Sequence, residues 1–101
     1  MPLNARWRFT HAALQYAPEE PGVFTLWDRG ELIYIGSARR PATLREALLG
    51  HLAGANPCTR TATHYGWQID CLDPEAAERR FVSSLCDDGR ALPRCNRRPA
   101  R

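Results

Sequence analysis

At 101 residues the chain has room for one small domain with a single sheet and a few helices. An apolar share of 44% and a charged share of 25% exclude a disordered chain. No apolar run approaches the ~20 residues of a membrane span, and no signal-peptide core opens the chain, so the cytoplasm is the expected location. Fourteen basic residues face eleven acidic ones, a net charge of +3 at pH 7, and every basic residue is an arginine. A genome-wide codon bias produces such a composition, but arginine also makes forked contacts to phosphate. Four of the fourteen lie in the closing "RCNRRPAR", a basic tail suited to a polyanion.

Residues 1–20 read as a lead-in. Within it "RWRF" is a strand end or an aromatic anchor, and Thr10 caps a short helix through about Ala17, which "PEEP" stops. Strands follow from about Gly22 to Trp27 and from about Glu31 to Gly36. Between them Asp28-Arg29-Gly30, with glycine third, suits a type I turn closed by a glycine bulge. Such a loop sets Trp27 opposite Glu31, and hence Phe24 opposite Tyr34 and Gly22 opposite Gly36. The mirrored triplets Gly22-Val23-Phe24 and Tyr34-Ile35-Gly36 then bring two rings together on one face, with a glycine pair at the edge where a backbone or ligand can approach. An inert hairpin also pairs aromatics for packing.

"ARRPA" is a basic loop carrying Arg39 and Arg40. Thr43 caps the helix "TLREALLGHL", whose Leu44, Leu48 and Leu52 recur at helical spacing while Arg45 and His51 occupy other faces. The loop "AGANPCTR" ends on Arg60, and "ATHYGWQIDCL" reads as a third strand containing His64, Tyr65 and Trp67. A second long helix runs from Pro74 to about Cys86, with Ala77, Phe81, Val82 and Leu85 turned to the core. Cys58, Cys71, Cys86 and Cys95 show no C-x-x-C spacing and read as reduced thiols, not as zinc ligands or disulfides. The expected fold is α/β, an α+β sandwich with a three-stranded antiparallel sheet flanked by helices. Its domain spans 21–96, followed by a basic tail at 97–101.

Taken in order, these elements resemble the GIY-YIG nucleases over roughly Pro21 to Asn96. The resemblance rests on Gly22-Val23-Phe24, Tyr34-Ile35-Gly36, a helix bearing arginine and histidine, a third strand, Glu78-Arg79-Arg80-Phe81-Val82, and Pro93-Arg94-Cys95-Asn96. One triplet alone is a weak signal; the ordered set is specific. "APEEPGVFTL" and "CTRTATHY" look most like small, stand-alone bacterial members, some of which cut single-stranded DNA at preferred sequences.

The resemblance implies phosphodiester hydrolysis with one divalent metal ion, Mg²⁺ or Mn²⁺, held by Glu78. A hard cation that keeps most of its waters needs few carboxylates, so one glutamate is chemically sufficient. Glu78 as a solvated helix residue, or paired with an arginine such as Arg45, is the structural alternative. Tyr34 takes the place of a general base or water-orienting group, although a free phenol titrates near ~10 and needs help to act as a base. His51 and His64 fall near supporting histidines, Asn96 orders the end of the fold, and Gly22 and Gly36 are structural. Arg39, Arg40, Arg60, Arg94, Arg97 and Arg98 are the candidate phosphate contacts. Tyr65, Trp67 and Phe24 are the candidate stacking surfaces for unpaired bases. DNA, single-stranded in preference, is the implied partner of a monomer or weak dimer, with no membrane and no obligate protein partner.

Two positions depart from the pattern. Phe24 replaces the first triplet's usual tyrosine and deletes a hydroxyl. Family members carry an arginine four residues before the helix histidine, where it can stabilise phosphorane charge, and that position here is Ala47. Three readings stay open: Arg45, Arg39 or Arg40 substitutes; the natural protein is weak or inactive; or Ala47 is an engineered truncation. The competing functions are accordingly a non-catalytic nucleic-acid binder and, more remotely, a protein-interaction module with a decayed site.

Overall fold

The computed structural model describes residues 6–96. In chain order the elements are β1 (Trp7–Arg8), α1 (His11–Leu14), β2 (Gly22–Asp28), β3 (Glu31–Ala38), α2 (Leu44–Leu52), a 3₁₀ turn (Pro57–Thr61), β4 (His64–Ile69) and α3 (Pro74–Asp87). The strands form one antiparallel sheet in the order β1-β4-β2-β3, so β3 lies at an edge. The sheet therefore has four strands and not the expected three. β1 is too short to show periodicity, and what places it is tertiary: Trp7 stacks on Trp67 at 5.6 Å, and the Phe9 N–H donates to the Thr63 carbonyl at 2.9 Å. None of the described helices is long and apolar enough to cross a membrane.

The β2–β3 hairpin departs from the expected register. Its turn has two residues, Arg29 (φ 53°) and Gly30 (φ 96°), both left-handed as a type I′ turn requires, so Asp28 faces Glu31. Past Trp27↔Leu32 the pairing resumes at Leu26↔Tyr34, leaving Ile33 as an extra residue on β3, a bulge. Phe24 thus faces Gly36, not Tyr34, and Gly22 faces Ala38, not Gly36. The shorter loop and the bulge each move the register by one residue. Two steps preserve the face of every side chain beyond the bulge, because strand side chains alternate with period two. Phe24 and Tyr34 therefore still meet, as a diagonal pair with ring centroids 6.0 Å apart.

One face of the sheet buries Phe24, Leu26, Ile33 and Tyr65 beneath α1 and α2, with Leu14, Leu44 and Leu48 packed over them. The other face buries Val23 and Ile35 beneath α3, against Ala77, Phe81, Val82 and Leu85. α2 begins in a capping box: the Thr43 hydroxyl accepts from the Glu46 N–H at 3.2 Å, and the Glu46 carboxylate accepts from the Thr43 N–H at 3.1 Å. Arg45 ties the lead-in to α2, donating to the carbonyls of Ala17 (3.0 Å) and Gln15 (2.9 Å) and pairing with Glu19 at 3.1 Å.

The outer edge of β3 is sealed by the C-terminal segment. The Cys95 N–H donates to the Ile33 carbonyl at 2.8 Å, and the Asn96 amide takes both backbone groups of Ile35, accepting from its N–H and donating to its carbonyl, each at 2.8 Å. Arg94 holds the segment from the other side, bonding Glu31 (2.8 Å), Asp28 (2.9 Å) and Thr61 (3.1 Å). Contrary to the expectation of four reduced thiols, Cys58 and Cys95 form a disulfide; Cys71 and Cys86 are free and exposed. A separation of 37 residues hides this pairing from any spacing rule, because only the fold brings the 3₁₀ turn beside the closing segment.

Gly36 gives the first test. A Cβ there would stand 2.6 Å from Phe24 Cζ and 2.8 Å from Tyr34 Cε2, so both rings must move to admit a methyl group. Gly36→Ala should cost about 1–3 kcal/mol by overpacking. Urea denaturation reads the loss, and an unchanged midpoint would contradict the close approach.

Candidate active site

Three elements converge on the edge strand. β3 presents Tyr34, half-buried, on the face that α2 covers; α2 places His51 in its last turn against it. The rings of Tyr34 and His51 are 5.0 Å apart, and Phe24 completes the cluster 5.5 Å from His51. Ala47, one helical turn before His51 and so on the same side of α2, packs against the same core. Glu78 comes from α3, which packs on the opposite face of the sheet. Because β3 has no strand beyond it, the Glu78 carboxylate can act on Tyr34 around the strand's margin.

The electrostatics of the cluster follow from burial. Tyr34 is raised above the ordinary phenol value of 10.0, first by desolvation and then by the negative charge of Glu78. At neutral pH it is a protonated phenol, a hydrogen-bond donor. Burial lowers His51 below the ordinary 6.5, so the imidazole is neutral at pH 7. Its Nδ1 lies 2.8 Å from the Thr59 hydroxyl, whose single proton is directed to the Asn56 carbonyl at 3.1 Å. Thr59 therefore accepts from His51, which assigns the proton to Nδ1 and leaves the Nε2 lone pair free. Thr59 is fully buried, so this bond is shielded from water. The sequence signal for it is faint: Asn56-Pro57 opens a capped turn in which the Asn56 side chain accepts from the Cys58 N–H, within a stretch whose sequence reads as loop.

Glu78 is half-buried and makes no hydrogen bond or ion pair with any described residue, whereas Arg45, the partner considered for it, is engaged with Glu19. Among the described residues no group of three or more His, Cys, Asp or Glu side chains could enclose a metal ion. A lone unpaired carboxylate beside a phenol fits a hydrated Mg²⁺ or Mn²⁺, which takes most of its ligands from water and phosphate, and does not fit a zinc-type cage.

Other candidates lie elsewhere. His64 pairs with Trp27 across β2 and so sits on the α3 face, opposite Tyr34, with its Nδ1 2.9 Å from the Thr63 hydroxyl. Arg45 is fully engaged with the lead-in and is no substitute for an arginine at position 47. Arg39 pairs with Glu75 at 3.2 Å on an exposed surface, Arg40 is exposed, and Arg60 donates to the Gly54 carbonyl. Arg94 is a structural clamp, as described above; Arg97 and Arg98 lie outside the described residues. Tyr65 (1% exposed) and Phe24 (2%) are core residues that no base can reach, Tyr65 bonding the Ala13 carbonyl through its hydroxyl at 3.0 Å. Trp67 is partly exposed, and the residue that extends its surface is Trp7, 40% exposed and stacked on it within 12° of parallel.

The α+β sandwich thus brings a tyrosine, a histidine and a glutamate with no partner among the described residues towards one sheet edge. Among solved structures the chain is similar to a tyrosine-to-phenylalanine point mutant of the GIY-YIG N-terminal endonuclease domain of UvrC from Thermotoga maritima, bound to its catalytic divalent cation. The match has a TM-score of 0.59 and 25% identity and covers 86% of this chain and 93% of that one. It supports placement in the GIY-YIG superfamily, whose α+β domain fold with an antiparallel sheet flanked by helices this chain shares. No family model matches the sequence, and a search of curated proteins gives no match.

The lowered pKa of His51 has a definite sign in stability. The unfolded chain binds the proton first, so the contribution of neutral His51 is whole above 6.5 and is lost as the pH falls through the lower folded value. The expected midpoint for His51 by NMR lies below 6.5, and His51→Gln should flatten part of the loss of stability between neutral pH and about pH 5. A midpoint at or above 6.5 would remove the buried, Thr59-bound imidazole from the account.

Proposed function

We propose that the chain is a metal-dependent DNA endonuclease of the GIY-YIG type with a preference for unpaired strands. The observation that carries this reading is the half-buried Glu78 carboxylate, unpaired among the described residues, acting on Tyr34, with His51 packed against the same ring. Glu78 would hold the cation, and a bound Mg²⁺ or Mn²⁺ supplies screening of the scissile phosphate and stabilisation of the leaving oxygen. Tyr34, kept protonated by its surroundings, orients the attacking water or the phosphate through its hydroxyl. His51, neutral and with Nε2 free, is the group able to accept a proton at physiological pH. Phe24 packs against both rings but brings no hydroxyl of its own.

Ala47 brings no cation to the position one turn before His51, and Arg45 does not make up for it. The chain as it stands is therefore a weak or inactive cutter that keeps its binding surface. In an assay with supercoiled, duplex and single-stranded DNA and Mg²⁺ or Mn²⁺, Ala47→Arg should raise cleavage by on the order of 10²–10³. Adding Glu78→Ala to that variant should abolish the gain. DNA binding without cleavage in the arginine variant, under either metal, would favour the non-catalytic binder instead.

The preference for unpaired strands rests on Trp7 and Trp67, the aromatic surface that is both stacked and partly open. Each base stacked on such a ring contributes about 1–3 kcal/mol, so Trp67→Ala should weaken binding of an oligothymidylate about tenfold while leaving duplex binding nearly unchanged. Tryptophan fluorescence quenching reads both. Equal affinity for the two forms, unaltered by the substitution, would remove the strand preference.

A further inference from the structure

Cys58 and Cys95 immediately precede the two residues that hold the site in place. Cys58 precedes Thr59, which accepts from His51 Nδ1; Cys95 precedes Asn96, which takes both backbone groups of Ile35 beside Tyr34. The Cys95 N–H also bonds the carbonyl of Ile33, the other neighbour of Tyr34. Tyr34 and His51 face each other at 5.0 Å, so the contacts close a ring: Tyr34, its two strand neighbours, Cys95 and Asn96, the disulfide, Cys58 and Thr59, His51, and Tyr34 again. The disulfide is the covalent link in that ring.

We propose that the Cys58–Cys95 disulfide is a positioning element of the nuclease site, so that the alignment of His51 with Tyr34 depends on the redox state of this pair; the catalytic half of the proposal rests on the function proposed above. Cys58 is exposed and Cys95 half-buried, so an external thiol meets Cys58 first. A thiolate of a dithiol reductant attacks the Cys58 sulfur, the sulfur–sulfur bond breaks, and Cys95 leaves as a thiolate that takes up a proton. The second thiol of the reductant then attacks the mixed disulfide and releases Cys58 as a thiol. Two electrons and two protons pass to the protein, and the reductant becomes a disulfide. Arg94 still ties the closing segment to Asp28, Glu31 and Thr61, so reduction loosens the site without unfolding the sheet. What it removes is the covalent tie between the Thr59 turn and the Asn96 clamp, which leaves the Arg94–Thr61 hydrogen bond as a direct link between them. Misplacement of a catalytic group by about 1 Å is enough to lower a rate by as much as ~10²-fold.

The test uses the full chain, oxidised and reduced with an excess dithiol. Thiol titration of the oxidised, denatured chain should count two free thiols, those of Cys71 and Cys86; four would overturn the proposal. On reduction, the ¹⁵N signals of His51 should move toward a mixture of tautomers and the Ile35 amide should exchange faster by roughly tenfold. In the Ala47→Arg chain kcat should fall by about tenfold with KM little changed. A Cys58→Ser, Cys95→Ser variant should match the reduced chain in all three readouts and ignore the dithiol. Unchanged His51 and Ile35 signals on reduction would overturn the proposal. Because those signals need no cleavage, a chain that never cuts DNA but shows both shifts supports the tether and defeats only the nuclease reading.

Discussion

Two aromatic rings, Phe24 and Tyr34, close over the backbone of Gly36, and the site depends on that missing side chain. The approach is so tight that a single methyl group would meet both rings at under 3 Å. With the rings in that position, Tyr34 stands on the α2 face of the edge strand and His51 can pack against it. The same strand carries Ile33 and Ile35 on either side of Tyr34, and their outward backbone groups would be left without partners at a bare edge. The closing segment answers them with Cys95 and Asn96. Sealing a sheet edge and immobilising Tyr34 are here one set of hydrogen bonds.

The cluster shows how one environment assigns different proton states to its members. Burial pushes the phenol of Tyr34 up and the imidazole of His51 down, in each case reinforcing the neutral form that the ordinary value already favours at pH 7, because charge is costly away from water. Glu78 acts on the phenol from α3, and its field works in the same direction as burial. Among the described residues the trio has a donor, an acceptor and a negative charge with no cationic partner, and the position one turn before His51 is Ala47.

Much of the hairpin was legible because strand chemistry is local. The turn residues, the alternating apolar positions and the two glycine–aromatic triplets all lie within seventeen residues, Pro21 to Ser37. The register was nevertheless two residues off, since Arg29 accepts a left-handed φ and Ile33 enters as a bulge, choices that sequence spacing does not announce. The face assignment survived because the error was even. The helix cap at Thr43 was equally local, its side chain accepting from the N–H three residues on.

What the chain determined by itself is the order of its elements, the apolar faces of its helices and the short motifs that resemble those of the GIY-YIG nucleases, because each is encoded within a turn of helix or a few residues of strand. Tertiary structure alone decided which charged groups remain free for chemistry. Arg45 and Arg94 look identical in sequence to phosphate-binding arginines, yet the fold sets them against carbonyls and carboxylates as clamps. His51 and His64 look equivalent, yet α2 packs His51 against Tyr34 while strand alternation turns His64 to the opposite face. The pairing of Cys58 with Cys95, and the service of Thr59 and Asn96 to the site, join residues that are remote along the chain. Their partners come from folding, and no local pattern names them.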